Sequence, residues 1–537
     1  MGVGRQARHR RRTALTAAAV ACLLSAGYAA SGSASAAAPP PQPPPQLTRA
    51  KVDDAVGKLD GIVQNGMKKT GVPGVAVVVV YKDRVVYLKG FGERHVGQSA
   101  SVDPDTVFEL ASLSKPLSST VVAGVVGSKA ITWDDPVAGH LPGFALKDPW
   151  VTEHVTYADL FSHRSGLPDH AGDLLEDLGY DRTYILDHLR YEPLTPFRAS
   201  YAYTNYGVTA AGQAAANVKD TTWEKLAEDT LYGPAGMNST SSRFADYDKA
   251  EDKAVTHVKA ADGTWQAKYV RDADAQSPAG GASSTARDMG TWIRLQLANG
   301  KLDGRQIIAA APLERTHLPE IVAQPPRAPA GRAGFYGLGW NVSYDDQGRL
   351  RLSHSGAFEL GANTNVTMLP GEQLGIAVLT NGAPVGLADS VALDFFDTAQ
   401  YGKPTADWLT LVDQVYQQQE AQGRSPTDYT KTPRNAAAAR SDDAYTGTYD
   451  NDFYGPLTVT AGQDGLTMRV GPKHMAFRLT HFDGDTFSFR TVGENATGLS
   501  GVTFKVDAES GGSSGDTASK VTVEAWDQDG LGTFTRR

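Results

Sequence analysis

The sequence predicts an α/β domain whose sheet is assembled from both ends of the domain, followed by a small all-β domain. Two observations lead to this prediction. A helical pattern and two strand patterns open the folded part, and further strand patterns return only after a long helical middle region. Beyond residue 440 the pattern changes to short alternating strands separated by glycine turns, which is typical of an antiparallel barrel or sandwich.

The N-terminus resembles an export signal. Five arginines and no acidic residue precede an apolar run, and a small-residue Ala-Ser-Ala sequence follows at Ala34–Ala36. We therefore expect residues 1–36 to be a signal peptide and the protein to be secreted or associated with the cell wall. Export by the general or the twin-arginine route, and lipidation at Cys22, all remain open. The proline-rich residues 37–46 would form an extended linker.

Composition excludes several classes of function. The 51 basic and 60 acidic residues give a net charge of −9, which argues against nucleic acid or an anionic membrane as a partner. Cys22 is the single cysteine, so cleavage after Ala36 would leave no disulfide, thiolate metal ligand or cysteine nucleophile. We expect a small-molecule or peptide substrate, with cell-wall peptidoglycan as one possible partner, and the sequence indicates no oligomeric state.

The folded part begins with a helix and a hairpin. Apolar residues recur at helical spacing from Leu47 until Gly71-Val72-Pro73-Gly74. Residues 75–81 and 84–92 then read as two strands joined at Lys82-Asp83. The unbroken valine run of the first strand predicts a sheet that is covered on both faces.

The remaining elements divide the chain into three regions. Residues 283–300 form a helical pattern, and four strand patterns follow residue 335. We assign residues 47–402 to the α/β domain, which the motifs described below make the catalytic domain, 403–440 to a helical linker and 441–537 to a β domain. The β domain could shape the cleft or mediate self-association.

A candidate nucleophile lies at a predicted helix start. Ser112 and Lys115 are three residues apart, so they share one helix face and the lysine can reach the serine oxygen. A serine hydroxyl needs a neighbouring base before it is an effective nucleophile. The N-terminal end of a helix also favours negative charge that develops during the reaction.

Acyl transfer needs a second titratable group to protonate the leaving group, and Tyr203 is the candidate. The charge of a nearby lysine ammonium would favour the tyrosine phenolate. Asn205, two residues later, can hydrogen-bond both a lysine and a substrate amide. A tyrosine among Tyr201 and Tyr206 is also explained by packing alone, so this assignment depends on the other motifs.

A third group lies in a predicted strand. Gly356 would let the substrate backbone approach closely, and Ala357 can offer a backbone N–H to an oxyanion. His354 precedes them, although a single strand histidine is more often structural. No ligand spacing supports a metal site, and no cofactor is expected.

Ser112-x-x-Lys115, Tyr203-x-Asn205 and His354-x-Gly356 together resemble the three motifs of the serine β-lactamase and penicillin-binding-protein superfamily, class C type. The resemblance covers roughly residues 50–400. It implies an antiparallel sheet flanked by helices with a helical subdomain, and the C-terminal part is similar to a lipocalin-like domain. It also implies that Ser112, Lys115 and Tyr203 are the catalytic residues. The substrate-binding residues would be Asn205, His354, Gly356 and Ala357. Residues 160–170 would belong to the scaffold or to the rim of the cleft.

The resemblance implies an exported serine hydrolase that forms an acyl-enzyme on amide or ester bonds. The expected substrates are D-amino-acid-containing peptides, cleaved in the manner of a D,D-carboxypeptidase or a D-aminopeptidase. His354 stands where typical class C β-lactamases have lysine, and a mostly neutral histidine would hold a substrate carboxylate less firmly. Efficient β-lactamase activity is therefore not expected. An esterase, a β-lactamase and a non-catalytic penicillin- or peptidoglycan-binding protein remain alternatives.

Overall fold

A computed structural model describes residues 46–506 and 517–537. The predicted signal peptide, residues 1–36, lies outside the described residues, as does nearly all of the predicted proline-rich linker. No helix in the described part of the chain is long and apolar enough to cross a membrane.

The catalytic domain is built on an eight-stranded antiparallel sheet. The N-terminal hairpin pairs with the last strand of the domain, so that Val75 lies opposite Thr380. The prediction of a sheet assembled from both ends is therefore confirmed. In spatial order the strands are Arg84–Gly92, Gly74–Tyr81, Leu374–Thr380, Ala362–Leu369, Leu350–Phe358, Asn341–Tyr344, Gly334–Tyr336 and Ile321–Gln324.

Helices cover both faces of this sheet. The helices Arg49–Thr70 and Leu387–Tyr401 pack on one face, and Ala286–Leu297 packs on the other. All eight residues of Gly74–Tyr81 are consequently buried. This explains the unbroken valine run in an antiparallel strand, because neither face of the strand meets water.

A helical subdomain follows the first hairpin. Three short two-stranded ladders accompany it, of which Phe108–Glu109 paired with Ser283–Ser284 adjoins the segment that carries Ser112. Its principal helices are Ser114–Gly127, Pro149–His154, Tyr157–Phe161, Asp173–Asp177, Arg182–His188, Asn205–Val218, Trp223–Ala227, Phe244–Lys249, Ser277–Gly280 and Ala310–Thr316.

The predicted helical linker contains the helix Trp408–Gln422. This helix packs against Leu387–Tyr401, and the Tyr416 hydroxyl donates a hydrogen bond of 3.0 Å to the Asp389 carboxylate. The same carboxylate accepts a hydrogen bond from Asn365, which lies in the central sheet. The linker helix is thus docked on the catalytic domain.

The C-terminal region is a nine-stranded antiparallel sheet. Its two end strands in space, Met475–Arg478 and Thr480–Asp483, are consecutive in the chain, so the sheet curls into a nearly closed barrel. The predicted small barrel is confirmed, whereas its likeness to lipocalins stays a prediction. The strands between those two, in spatial order, are Gly465–Val470, Leu457–Gly462, Gly447–Asp450, Thr533–Arg536, Ala518–Val523, Leu499–Val506 and Thr486–Arg490.

The barrel packs on the helical subdomain through tyrosines. The Tyr180 hydroxyl donates to the Tyr454 carbonyl at 2.6 Å, and Tyr184 donates to the Phe453 carbonyl at 3.2 Å. Buried apolar side chains of the two regions belong to one continuous cluster. The barrel is therefore in close contact with the helical subdomain of the catalytic domain.

Candidate active site

The turn that carries Ser112 lies just before a helix. Ala111–Leu113 form one 3-10 turn, and the α-helix Ser114–Gly127 begins immediately after it. Ala111 has a φ of 49°, an uncommon conformation for a residue with a side chain. Surrounding bonds hold it, because the Ser114 hydroxyl donates to the Ala111 carbonyl at 2.7 Å and accepts from the Ala282 N–H.

Gly356 allows the strand Leu350–Phe358 to lie against this turn. A Cβ atom at position 356 would stand 2.2 Å from the Leu110 carbonyl oxygen and 3.2 Å from the Leu113 nitrogen. The glycine therefore accommodates the turn that presents Ser112, a role that its sequence context did not predict. Contact of Gly356 and Ala357 with substrate stays a prediction.

Lys115 points directly at Ser112. Its side chain is fully buried, and its Nζ atom lies 3.1 Å from the Ser112 Oγ atom. Two further acceptors hold the amine, the Asn205 Oδ1 atom at 2.7 Å and the Ala279 carbonyl at 3.0 Å. A neutral amine can donate to these two acceptors and keep its lone pair for the serine hydroxyl, whereas an ammonium can donate to all three oxygens.

Burial lowers the pKa of Lys115 from about 10.5 to about 7. Desolvation is the main cause, because a fully buried ammonium loses its hydration. The negative charge of Asp173 opposes the change, and the positive charge of Arg271 adds to it. A large fraction of Lys115 is consequently unprotonated at neutral pH and can accept the proton of Ser112.

Tyr203 contacts the same serine from the other side. Its hydroxyl donates to the Ser112 Oγ atom at 2.8 Å, and its ring lies 4.5 Å from the Lys115 Nζ atom. Burial raises the pKa of Tyr203 well above its ordinary value, although the bond to Ser112 opposes this change. The expectation of a phenolate at Tyr203 is therefore wrong, because desolvation is the largest influence on this hydroxyl and disfavours its charged form. In the free protein Tyr203 is a proton donor.

Asn205 is fixed by a carboxylate that its sequence context did not reveal. Its Nδ2 atom donates to the Asp173 carboxylate at 2.7 Å, which orients its oxygen towards Lys115. His170 donates to the same carboxylate at 2.8 Å. Desolvation lowers the pKa of His170, but the hydrogen bond to Asp173 and the negative charge of Asp173 together raise it to about 9. A continuous hydrogen-bonded chain thus joins His170 at the surface to Ser112.

The segment of residues 160–170 supports Tyr203, as the resemblance implied. The Tyr203 N–H donates to the Asp169 carboxylate, and the Tyr203 carbonyl accepts from the His170 N–H. The His163 Nδ1 atom accepts from the Thr204 N–H at 3.1 Å. Within residues 46–506 and 517–537, no group of three or more histidine, cysteine, aspartate or glutamate side chains could hold a metal ion.

His354 is buried beside the site with both ring nitrogens engaged. Its Nδ1 atom donates to the Ser355 carbonyl at 2.7 Å, so its Nε2 atom must accept the Tyr336 hydroxyl at 2.8 Å. Burial, with a further contribution from the charge of Lys115, lowers the pKa of His354 to about 3. At neutral pH this position therefore carries an uncharged imidazole that has no free nitrogen for a substrate carboxylate.

Comparison with known proteins now identifies the family. The model of the Beta-lactamase family matches residues 59–394, which is more than half of the chain. The chain belongs to the Beta-lactamase family. Proteins with this fold are generally serine hydrolases. A second model, described as a domain of unknown function (DUF3471), matches residues 431–525 and so covers most of the barrel.

Relatives of this Beta-lactamase family protein are distant. The chain is 23% identical over 470 residues to unguisins hydrolase ungD of Aspergillus violaceofuscus, covering 80% of this chain and 82% of that protein. It is 28% identical over 332 residues to penicillin-binding protein 4 of Amycolatopsis lactamdurans, covering 60% and 84%. The octameric penicillin-binding protein homologue from Pyrococcus abyssi has the same fold, with a TM-score of 0.56, 18% identity and coverage of 87% of this chain and 98% of that one.

Two residues of the site escaped prediction from the sequence. Asp173 orients Asn205, and Tyr336 occupies the Nε2 atom of His354. Both act through contacts between segments far apart in the chain. The spacing His170 to Asp173 is the one local signal that could have found either residue, and such pairs are common on protein surfaces.

The Lys115 pKa predicts a pH dependence for this Beta-lactamase family member. Only the neutral amine accepts the Ser112 proton, so kcat/KM should fall about tenfold per pH unit below pH 7 and level off above it. The profile should be measured from pH 5 to 8 with an ester substrate that does not itself ionise. A flat profile over this range would contradict the assignment of Lys115 as the base.

The Tyr203 hydroxyl can be tested against a neighbouring tyrosine. Tyr203→Phe removes the hydrogen bond to Ser112 and the proton donor, so kcat should fall by about 10² to 10⁴. Tyr201→Phe is the matched control, since its ring packs nearby against Tyr336, and it should change kcat by no more than about twofold. Equal effects of the two variants in steady-state kinetics would show that packing, not proton transfer, explains Tyr203.

Proposed function

We propose that the protein is an exported serine hydrolase that forms an acyl-enzyme on Ser112 and cleaves amide or ester bonds, with D-amino-acid-containing peptides as its substrates. One observation carries this proposal. The Ser112 Oγ atom lies between the Lys115 amine at 3.1 Å and the Tyr203 hydroxyl at 2.8 Å. A poised base and a proton donor on one hydroxyl are what activation of a serine nucleophile requires.

Acylation follows from this arrangement. Neutral Lys115 removes the Ser112 proton as the oxygen attacks the substrate carbonyl carbon. The backbone N–H groups of Ser112 and Ala357 would hold the resulting oxyanion. When the tetrahedral intermediate collapses, the bond to the leaving group breaks and Tyr203 gives that group its proton. The Lys115 ammonium then returns a proton to Tyr203, and the amine is neutral again.

Deacylation reverses these roles. Neutral Lys115 takes a proton from the water that attacks the acyl carbon, and the resulting ammonium returns a proton to the Ser112 oxygen as its bond to the acyl carbon breaks and the acid product forms. The chain His170, Asp173, Asn205 keeps the amine directed at Ser112 through both half-reactions. No other residue is required for the balance of protons.

The state of His354 bears on the substrate. A D,D-carboxypeptidase substrate and a β-lactam both carry a carboxylate that a cation in this strand would hold, and His354 is neutral with both nitrogens occupied. This favours substrates whose leaving part has no carboxylate, namely esters and peptides cleaved in the manner of a D-aminopeptidase. An esterase is therefore the second candidate, ahead of a β-lactamase.

The proposal for location rests on the sequence of residues 1–36 alone. The proposal for activity has support from relatives that are named as a hydrolase and as a penicillin-binding protein. D-amino-acid peptides of the cell wall suit an exported protein, and a protein that binds such peptides without turnover is the remaining alternative.

Ser112→Ala should abolish both hydrolysis and covalent labelling by a fluorescent penicillin, because it removes the nucleophile. Ser128→Ala is the matched control: its hydroxyl donates to the Val125 carbonyl of its own helix end, and the variant should label and turn over like wild type. Intact mass should show one acyl group on wild type that disappears with time. Hydrolysis retained by Ser112→Ala would refute the proposal, and a permanent acyl group would support the non-catalytic alternative.

A panel of substrates separates the remaining candidates. We expect nitrophenyl esters and D-amino-acid amides to be cleaved at least about tenfold more efficiently than D-Ala-D-Ala peptides with a free carboxylate. A chromogenic cephalosporin should turn over slowly. Preference for the free carboxylate would contradict the interpretation of His354.

A further inference from the structure

We propose that the C-terminal barrel completes the active site, and that Glu494 is a positioning residue for the strand end that bears Ala357. Glu494 lies in the loop of residues 491–498, which joins the barrel strands Thr486–Arg490 and Leu499–Val506. This loop reaches the catalytic domain directly after the end of the strand Leu350–Phe358.

Glu494 binds the backbone that directly follows that strand. Its Oε1 atom accepts the Glu359 N–H at 2.8 Å, and its Oε2 atom accepts the Leu360 N–H at 3.3 Å. The Glu494 side chain is only 14% exposed, so water competes little for these bonds. Glu359 is two residues from Ala357, and the carboxylate therefore restrains the backbone next to the proposed oxyanion donor.

A second carboxylate holds the loop in place from the other side. Asp177 accepts the Glu494 N–H at 2.8 Å, and both the backbone and the side-chain nitrogen of Asn495 at 2.9 Å. Gly493 has a φ of 95°, and a Cβ atom there would lie 2.3 Å from the Asp177 carboxylate. Only glycine allows this close approach. Asp177 ends the short helix Asp173–Asp177, whose first residue orients Asn205.

Arg271 joins the loop to both parts of the site. Its guanidinium lies 2.7 Å from the Glu494 carboxylate and 3.1 Å from the Glu176 carboxylate, and it stacks on the Phe358 ring at 4.2 Å. The arginine side chain is 7% exposed. Loss of the Glu494 charge would take one of these two carboxylates from a buried guanidinium, which is costly, so the arrangement depends on Glu494.

These contacts connect the barrel to the acylation machinery on two sides. Through Glu494 and Arg271 the loop fixes the end of the strand that carries Ala357, and through Asp177 it fixes the helix that carries Asp173. Acyl transfer is sensitive to displacements of about 1 Å in such groups. Loss of the Glu494 charge should therefore lower the rate of acylation more than it lowers substrate binding.

Glu494→Gln in the full chain tests this inference, with Glu524→Gln as the matched control. Glu524 also lies in the barrel and accepts a backbone N–H, that of Gly501 at 2.8 Å, but its side-chain partners are the linker residues Ser425 and Tyr429. We expect Glu494→Gln to lower kcat about tenfold with KM changed by no more than about twofold, and Glu524→Gln to leave kcat unchanged. Thermal midpoints of both variants should be measured alongside.

Hydrogen–deuterium exchange of residues 355–362 supplies a readout that does not need activity. Exchange in this segment should be faster in Glu494→Gln than in wild type, and unchanged in Glu524→Gln. Because the kinetic arm rests on the proposed function, an inactive wild-type protein would refute that function while exchange still tests the contact. Should Glu494→Gln not fold, Asp177→Asn, which releases the loop from the other side, takes its place.

Two results would overturn the inference. One is unchanged kcat together with unchanged exchange in Glu494→Gln. The other is an equal loss of kcat in Glu494→Gln and Glu524→Gln, which would indicate that the barrel contributes stability and nothing specific to the site.

Discussion

The burial of the Lys115 amine beside Ser112 is the constraint on which the site depends. A fully buried lysine gives up its proton near neutral pH, and this supplies a base next to the nucleophile. Burial has a cost, because the amine must find hydrogen-bond partners in both of its charge states. Asn205, Ala279 and Ser112 provide three oxygen partners that suit either state.

The surrounding fold holds the three oxygen partners of the Lys115 amine in place. The 3-10 turn at Ala111–Leu113 is pressed against the central sheet where Gly356 leaves room for it. Asp173 orients Asn205 from a neighbouring helix, and burial keeps Tyr203 protonated on the opposite side of Ser112. The same exclusion of water keeps His354 neutral. Burial therefore determines both the pKa of the Lys115 base and the proposed preference for substrates without a carboxylate.

The sequence predicts those parts of the protein that depend on local spacing. The valine strand, the Ser112 to Lys115 separation and the alternating barrel strands each follow from neighbouring residues, and each is found in the structure. The expectation of a phenolate at Tyr203 failed because the sequence shows which residues carry charge, whereas desolvation depends on how deeply the folded protein buries the hydroxyl. The contacts of Tyr336 with His354 and of Glu494 with Glu359 join segments distant in the chain, and no local pattern marks them.

A direct titration of Lys115 tests the central claim. Heteronuclear NMR of protein labelled at the lysine side chains, assigned with Lys115→Arg, follows the amine through its own change of charge. We expect a midpoint near pH 7, well below that of an exposed lysine. A midpoint close to that of the exposed lysines would contradict the account, because the amine beside Ser112 would then be an ammonium at neutral pH and could not serve as the base.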